Sequence, residues 1–155
     1  MKRFSLFFFA VLCVFHIIQG CKDAGTDVPV SVGPPVVQDD SSRFNRDVHP
    51  ILLANCAISG CHSGSSPQAG FNQETYAGVR AGGATFGTNV IHPGDSSSSS
   101  SNNAVGSGIM KMIRNVNNPF GNFRMPLTGP YSASGLPDSL IVKIGKWIKQ
   151  GAKNN

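Results

Sequence analysis

Two cysteines with four residues between them and a histidine directly after the second, Cys56-Ala57-Ile58-Ser59-Gly60-Cys61-His62, constrain this chain more than any other feature. Two thiols and an imidazole are confined to seven consecutive residues, so the fold must accommodate a cross-link between the thiols or a group that takes all three. Three chemistries use that set. In an oxidising compartment a disulfide between Cys56 and Cys61 would close a short loop. A zinc ion would take Cys56, Cys61 and His62 with either His49 or His92 as its fourth ligand. Covalent attachment of a c-type haem needs two thiols for the two vinyl groups of a porphyrin and an imidazole for the iron. Its usual spacing is C-x-x-C-H. The two additional residues here widen the loop between the thiols without moving His62 relative to Cys61.

The other two of the four cysteines have separate fates. Lys2 and Arg3 precede an apolar run from Phe4 to Ile18, the charged and hydrophobic regions of a secretory signal spanning residues 1–20. The run of fifteen residues includes His16 and is shorter than the roughly 20 apolar residues of a bilayer-spanning helix, so no transmembrane helix is expected in the mature chain. Cys13 lies inside this leader. Cys21 follows Ile17-Ile18-Gln19-Gly20, which resembles the lipobox of bacterial lipoproteins, with Gln19 where a small residue is usual. The resemblance implies that Cys21 is acylated and becomes the mature N-terminus; the alternative is an ordinary signal with a cysteine nearby. Several acyl chains exceed the one-chain limit of reversible binding, which would make the anchor stable. Lys22 after that cysteine fits sorting to the outer membrane, so the expected location is extracytoplasmic, as a periplasmic or outer-membrane lipoprotein.

Residues 22–42 carry Pro29, Pro34 and Pro35 and no helical or strand period, and read as a flexible tether spanning on the order of 25 Å. The globular domain is then 43–155, 113 residues, large enough for one core but a thin one without a staple or cofactor. Charge changes at the same boundary. The tether sets Lys22 against Asp23, Asp27, Asp39 and Asp40, while the domain has ten Lys or Arg against Asp47, Glu74, Asp95 and Asp138, a net charge of plus six. These cations are scattered singly along a chain destined for export, which argues against nucleic acid and for steering toward an acidic protein partner. A solvated basic surface with no dedicated partner is the plainer alternative.

Apolar periodicity predicts helices rather than strands. Phe44, Val48, Ile51 and Leu52 share one helical face over 43–55, where Pro50 either kinks the helix or sits in the first turn of a fresh one capped by Asp47. Asn72 is the expected cap of a short helix through Tyr76 and Val79, stopped by Gly82 and Gly83. The six serines 96–101 read as a surface loop. Ile109, Met112, Ile113 and Val116 mark a third stripe, and 117–135 is too rich in Pro, Gly and Asn to be regular. Pro137, near the first helical position, opens a last helix with Leu140, Ile141, Ile144, Trp147 and Ile148 on one face and Lys143, Lys146 and Lys149 on the other.

Beyond the Cys/His cluster, the chain carries Val48-His49-Pro50-Ile51-Leu52, Phe71-Asn72-Gln73-Glu74-Thr75-Tyr76, Gly78-Val79-Arg80-Ala81-Gly82, His92-Pro93-Gly94-Asp95, Arg124-Met125-Pro126, Lys146-Trp147-Ile148 and Gly151-Ala152. In these pieces it resembles small bacterial c-type cytochrome domains with the expanded C-x4-C-H spacing, over nearly the whole domain. The serine run is a departure, since the family tends to continue there with a compact apolar segment. The resemblance implies an all-α fold, three to four short helices and long irregular loops around one covalently bound haem. It implies Cys56 and Cys61 as attachment points, His62 as the proximal iron ligand and Met125, in an irregular loop before the last helix, as the distal one. His92 is the rival ligand and would give a lower potential; Met110 and Met112, on a helical stripe, read as core. His49 is given no role.

With both axial positions filled, substrate chemistry at iron is disfavoured and one-electron transfer with redox partner proteins is expected, not enzymatic turnover. Phe71, Phe86, Phe120, Phe123 and Trp147 are expected to keep the pocket dry, and the first and last helices to cross through Phe44, Val48, Leu52, Ile144, Trp147 and Ile148. A peroxidase-like enzyme, which needs an open sixth site, and a haem-free structural or binding lipoprotein with a Cys56–Cys61 disulfide are the alternatives. The chain has no nucleophile elbow, no phosphate-binding loop and no second Glu beside Glu74.

Overall fold

Pro50 determines how the chain enters its first helix. Without an N–H it cannot extend the ladder of a helix arriving from the N-terminal side. In the computed structural model, which describes residues 40–98 and 106–155, a single π-helical turn at Phe44–Val48 leads into helix α1, His49–Asn55. The N–H of Val48 reaches back to the Arg43 carbonyl at 3.3 Å and that of His49 to the Phe44 carbonyl. Pro50 stands in the first turn of α1, as one of the two expected arrangements has it, but the π turn runs into α1 without a break. Asp47 is not its cap: Val48 holds that position in helical geometry, and the Asp47 carboxylate accepts the Arg43 N–H at 2.8 Å and pairs with Arg46. The preceding π turn already engages the groups that a cap would otherwise satisfy.

Three more α-helices follow: α2, Tyr76–Ala81; α3, Gly108–Arg114; and α4, Asp138–Lys149. No strand occurs among the described residues, only an isolated bridge between Gly83 and Gly87, so this part of the chain is all-helical as expected. None of these helices is long and apolar enough to cross a membrane. Cys21, the leader, most of the tether and serines 99–101 lie outside the described residues. The cap of α2 is Thr75, whose hydroxyl accepts the Gly78 N–H at 3.1 Å, and not Asn72. Asn72 instead turns the chain locally by accepting the Glu74 N–H at 2.8 Å, which delays the helix by three residues. Helix α3 stops at Asn115, in left-handed geometry, so Val116 falls beyond the buried stripe and is exposed. Pro137 stands just outside α4, at the N-cap rather than the first helical position.

The π turn packs on α4, as the crossing of first and last helices requires. The Phe44 ring lies 5.3 Å from that of Trp147, 5.1 Å from Tyr76 and 5.0 Å from His49. Phe44, Val48, Leu52, Ile144, Trp147 and Ile148 are all buried, each stabilising the fold by about 1.5–3 kcal/mol. Polar tips in this cluster are satisfied by the C-terminal segment: Trp147 Nε1–H donates to the Lys153 carbonyl and the Tyr76 hydroxyl to that of Ala152, both at 2.8 Å. The last residue, Asn155, accepts the backbone N–H groups of Asn45 at 2.9 Å and Phe44 at 3.0 Å. Residues 40–42 dock as well, through an Asp40–Lys146 ion pair and a Ser42 N–H to Gln150 Oε1 bond. Contacts of the domain thus reach back past Arg43 to Asp40.

Candidate functional site

Helix α1 ends at Asn55 and delivers Cys56 into a loop that folds back on itself. The Cys61 N–H bonds to the Ile58 carbonyl at 2.8 Å and the His62 N–H to the Cys56 carbonyl at 3.2 Å. The additional residues of the C-x4-C-H spacing are thus absorbed in a four-residue turn, Ile58 to Cys61, whose third position has φ of +80° and is filled by Gly60. Cys56 is buried, Cys61 half-buried, and the two thiols are not bonded to each other. Burial, with a smaller contribution from neighbouring Cys61, pushes the Cys56 thiol up to about 12. Cys56 is accordingly a neutral thiol at physiological pH, a poor nucleophile for disulfide exchange.

His62 is oriented by an adjacent extended segment. Its Nδ1 is 3.0 Å from the Phe71 carbonyl, which can only accept, so Nδ1 carries the proton and Nε2 the free lone pair. The Gln73 N–H returns a bond to the His62 carbonyl at 2.8 Å, and the Phe71 ring meets the imidazole edge-on with centroids 5.4 Å apart. Burial holds the His62 pKa below its ordinary value, against the opposing pull of the Phe71 and Gln68 carbonyls, which favours the neutral ring.

These three groups open onto a cavity of about 500 Å³, within the ordinary range for a ligand pocket. Met125 lies on the same cavity, half-buried in its loop. The loop is sewn to α3: the Met125 N–H bonds to the Met112 carbonyl at 3.1 Å and Arg124 Nε–H to the Ile113 carbonyl at 2.9 Å. Cys56, Cys61, His62 and Met125 are therefore brought together across 70 residues of sequence.

His49 and His92 do not line the cavity. His49 Nε2–H donates to the Glu74 carbonyl at 2.9 Å while its ring stacks on Phe44. Among the described residues no three His, Cys, Asp or Glu side chains are gathered as a metal-binding group, and neither His49 nor His92 joins Cys56, Cys61 and His62 on the cavity as a fourth zinc ligand. Of the five aromatics expected at the pocket, Phe71, Phe86, Phe120 and Phe123 line it. Trp147 does not; it belongs to the Phe44 cluster on α4, because its face of that helix meets the π turn. Phe120 and Phe123 are 49% and 62% exposed and form an apolar rim rather than a dry interior.

Sequence reasoning missed much of the wall, Met112, Asn55 and Gln73 among it. Met112, assigned to the core, is buried but faces the cavity beside Ile109 and Ile113. Asn55 and Gln73 are buried amides on the wall; the first donates to the Ile51 carbonyl at 2.8 Å. Their one sequence signal is proximity to the Cys/His cluster and to Phe71. The chain matches no protein-family model, no curated protein and no solved structure.

Proposed function

We propose that this chain is a membrane-anchored, extracytoplasmic electron carrier that holds one haem covalently. The observation that carries the reading is that Cys56, Cys61, His62 and Met125 all line a single, mostly apolar cavity. In this reading Cys56 and Cys61 would hold the haem through thioether bonds, and His62 Nε2 and the Met125 sulfur would hold its iron. When bound, such a haem supplies a one-electron ferric–ferrous couple.

The residues of the chain prepare that site in separate ways. Cys56 and Cys61 stand unbonded on the cavity wall, Cys56 buried and Cys61 half-buried. The Phe71 carbonyl fixes the tautomer that leaves Nε2 free, the usual second partner of a metal-bound histidine. The two bonds from Arg124 and Met125 to α3 limit the freedom of the thioether. Phe71 and Phe86 exclude water from the interior, while Phe120 and Phe123 mark the side on which a partner would approach. The net charge of plus six over residues 43–155 would steer an acidic partner, and acylation of Cys21 would keep the domain near the membrane at high effective concentration.

The test is expression of the full chain in a periplasm with haem-attachment machinery, followed by acid-acetone extraction and pyridine haemochrome spectroscopy. Retained haem with a two-thioether spectrum, lost in the Cys56→Ser, Cys61→Ser double variant, is the expected result. A colourless protein with Cys56 and Cys61 disulfide-linked would overturn it. A Met125→Ala variant with an unchanged resting spectrum would replace the carrier reading with an enzyme holding an open iron site.

A further inference from the structure

Helix α4 turns three lysines away from its buried face. Lys143, Lys146 and Lys149 recur every third residue, Lys143 and Lys149 exposed and Lys146 with 42% of its side chain exposed. Val142, 46% exposed, stands one turn before Lys146 and two before Lys149, an apolar side chain in water among cations. The π turn packed on α4 adds Arg46. Arg46 and Lys143 share one carboxylate: Asp47 is held below its ordinary pKa first by its bond to Arg46, and the Lys143 charge pulls it the same way. Asp40 pairs with Lys146, and Asp138 sits a further turn back, at the start of the helix. At the centre of the face four cations thus meet two carboxylates, and Lys143 and Lys149 make no ion pair among the described residues. Nothing on this face belongs to the cavity: no residue of 40–54 or 129–155 lines it, and no Lys or Arg does. A redox partner drawn onto these cations would therefore touch no part of the cavity wall.

We propose that the α4 face around Val142, Lys143, Lys146 and Lys149 rests on an anionic lipid surface. The inference deepens the membrane-anchored location proposed above and needs nothing of the haem. Asp40, paired with Lys146, joins this face to the tether, with residues 22–39 between it and Cys21. Acyl chains on Cys21 would bring a membrane within reach of that tether, on the order of 25 Å. Phosphate headgroups would meet the ammonium groups, and Val142 would reach the boundary between headgroups and acyl chains. Each lysine at such a surface strengthens binding about fivefold. An acyl anchor and a basic face are the two signals that together make membrane attachment stable, and this seating leaves the cavity uncovered by lipid.

The test uses the mature chain, residues 21–155, carrying Cys21→Ser so that no acyl chain anchors it, sedimented with vesicles of phosphatidylcholine alone or of equal parts phosphatidylcholine and phosphatidylglycerol. Expected is binding to the mixed vesicles only, weakened by added salt. Affinity should fall about fivefold in Lys149→Gln and on the order of a hundredfold in the Lys143→Gln, Lys146→Gln, Lys149→Gln triple variant. Arg114→Gln, on α3, makes the same change in net charge as Lys149→Gln and should leave binding nearly unchanged. Equal losses in Lys149→Gln and Arg114→Gln would overturn the inference, since net charge alone would then account for binding. So would a parent chain that ignores the mixed vesicles; its retention on immobilised polyglutamate instead would give the face to an acidic protein. Acylation of Cys21, read from the mass of the native chain, decides the anchored location separately.

Discussion

Gly135→Ala is expected to cost clearly more stability than Gly129→Ala, although both glycines sit in the same connection with left-handed backbone, φ of +74° and +83°. Forcing an L-residue into that geometry costs about 1–2 kcal/mol, and this term is shared by the two variants. At Gly129 a new methyl group meets no atom within 4 Å. At Gly135 it would collide with Cζ and Nε of Arg124. The guanidinium can move, but only by giving up the Nε–H bond to the Ile113 carbonyl at 2.9 Å, and the Nη1 bond to the Ser134 carbonyl at 3.2 Å with it. A bond with a charged donor contributes about 1.5–3 kcal/mol, and the more exposed Ser134 bond adds little. The expected losses are therefore about 1–2 kcal/mol for Gly129→Ala and about 2.5–5 kcal/mol for Gly135→Ala. Urea unfolding of the two variants beside wild type, compared at a common slope, measures the difference. Because Arg124 precedes Met125, only Gly135→Ala should also weaken the sulfur–iron absorbance of haem-loaded protein. Equal losses in the two variants would refute the idea that Arg124 latches the Met125 loop to α3.

Thr75→Ala removes the hydroxyl that accepts the Gly78 N–H, and should destabilise the domain by about 1 kcal/mol in urea unfolding, whereas Asn72→Ala should leave the α2 cap intact. Trp147→Phe keeps an aromatic ring beside Phe44 but strands the Lys153 carbonyl; a loss of about 1–3 kcal/mol is expected with no change in any haem spectrum, since Trp147 is not on the cavity. The Asp95 carboxylate accepts the N–H groups of Ser97 and Gly106, both at 2.9 Å; the Ser97 side chain first, and then these backbone bonds, hold its pKa below the ordinary 3.8. A depressed folded-state pKa means that this contribution is present above the unfolded value and is lost as pH falls through the folded one. The stability gap between wild type and Asp95→Asn should accordingly be widest near neutrality and shrink on acidification below pH 3.8, as read from urea midpoints; a gap independent of pH would contradict the clamp.

The parts of the fold that could be read from the chain are those written in short-range spacing. The stripe Leu140, Ile141, Ile144, Trp147, Ile148 recurs at the helical period and is the inner face of α4; Gly82 ends α2 because its φ of +85° suits no other residue well. Helix starts were harder. At Thr75 and Asn72 two residues of similar capping chemistry compete, and the winner is set by the Asn72 side chain bonding Glu74 first. At Pro50 the sequence announces an interruption, but the π turn before it depends on how Phe44 seats against Trp147.

The cavity shows the same division more sharply. The chain by itself determined that two thiols and an imidazole stand together, because seven consecutive residues cannot separate them, and that four amphipathic segments would need a common interior. Only the tertiary structure decided which apolar residues face a void and which face each other. Periodicity marks a side chain as inward without saying what it meets, so Trp147 and Met112 look alike in the sequence. They part company because the π turn fills the space over α4, whereas the Phe120–Thr128 return, pinned to α3 through Arg124 and Met125, leaves open the space beside Met112. That placement depends on contacts between segments far apart in the chain, and no local spacing records it.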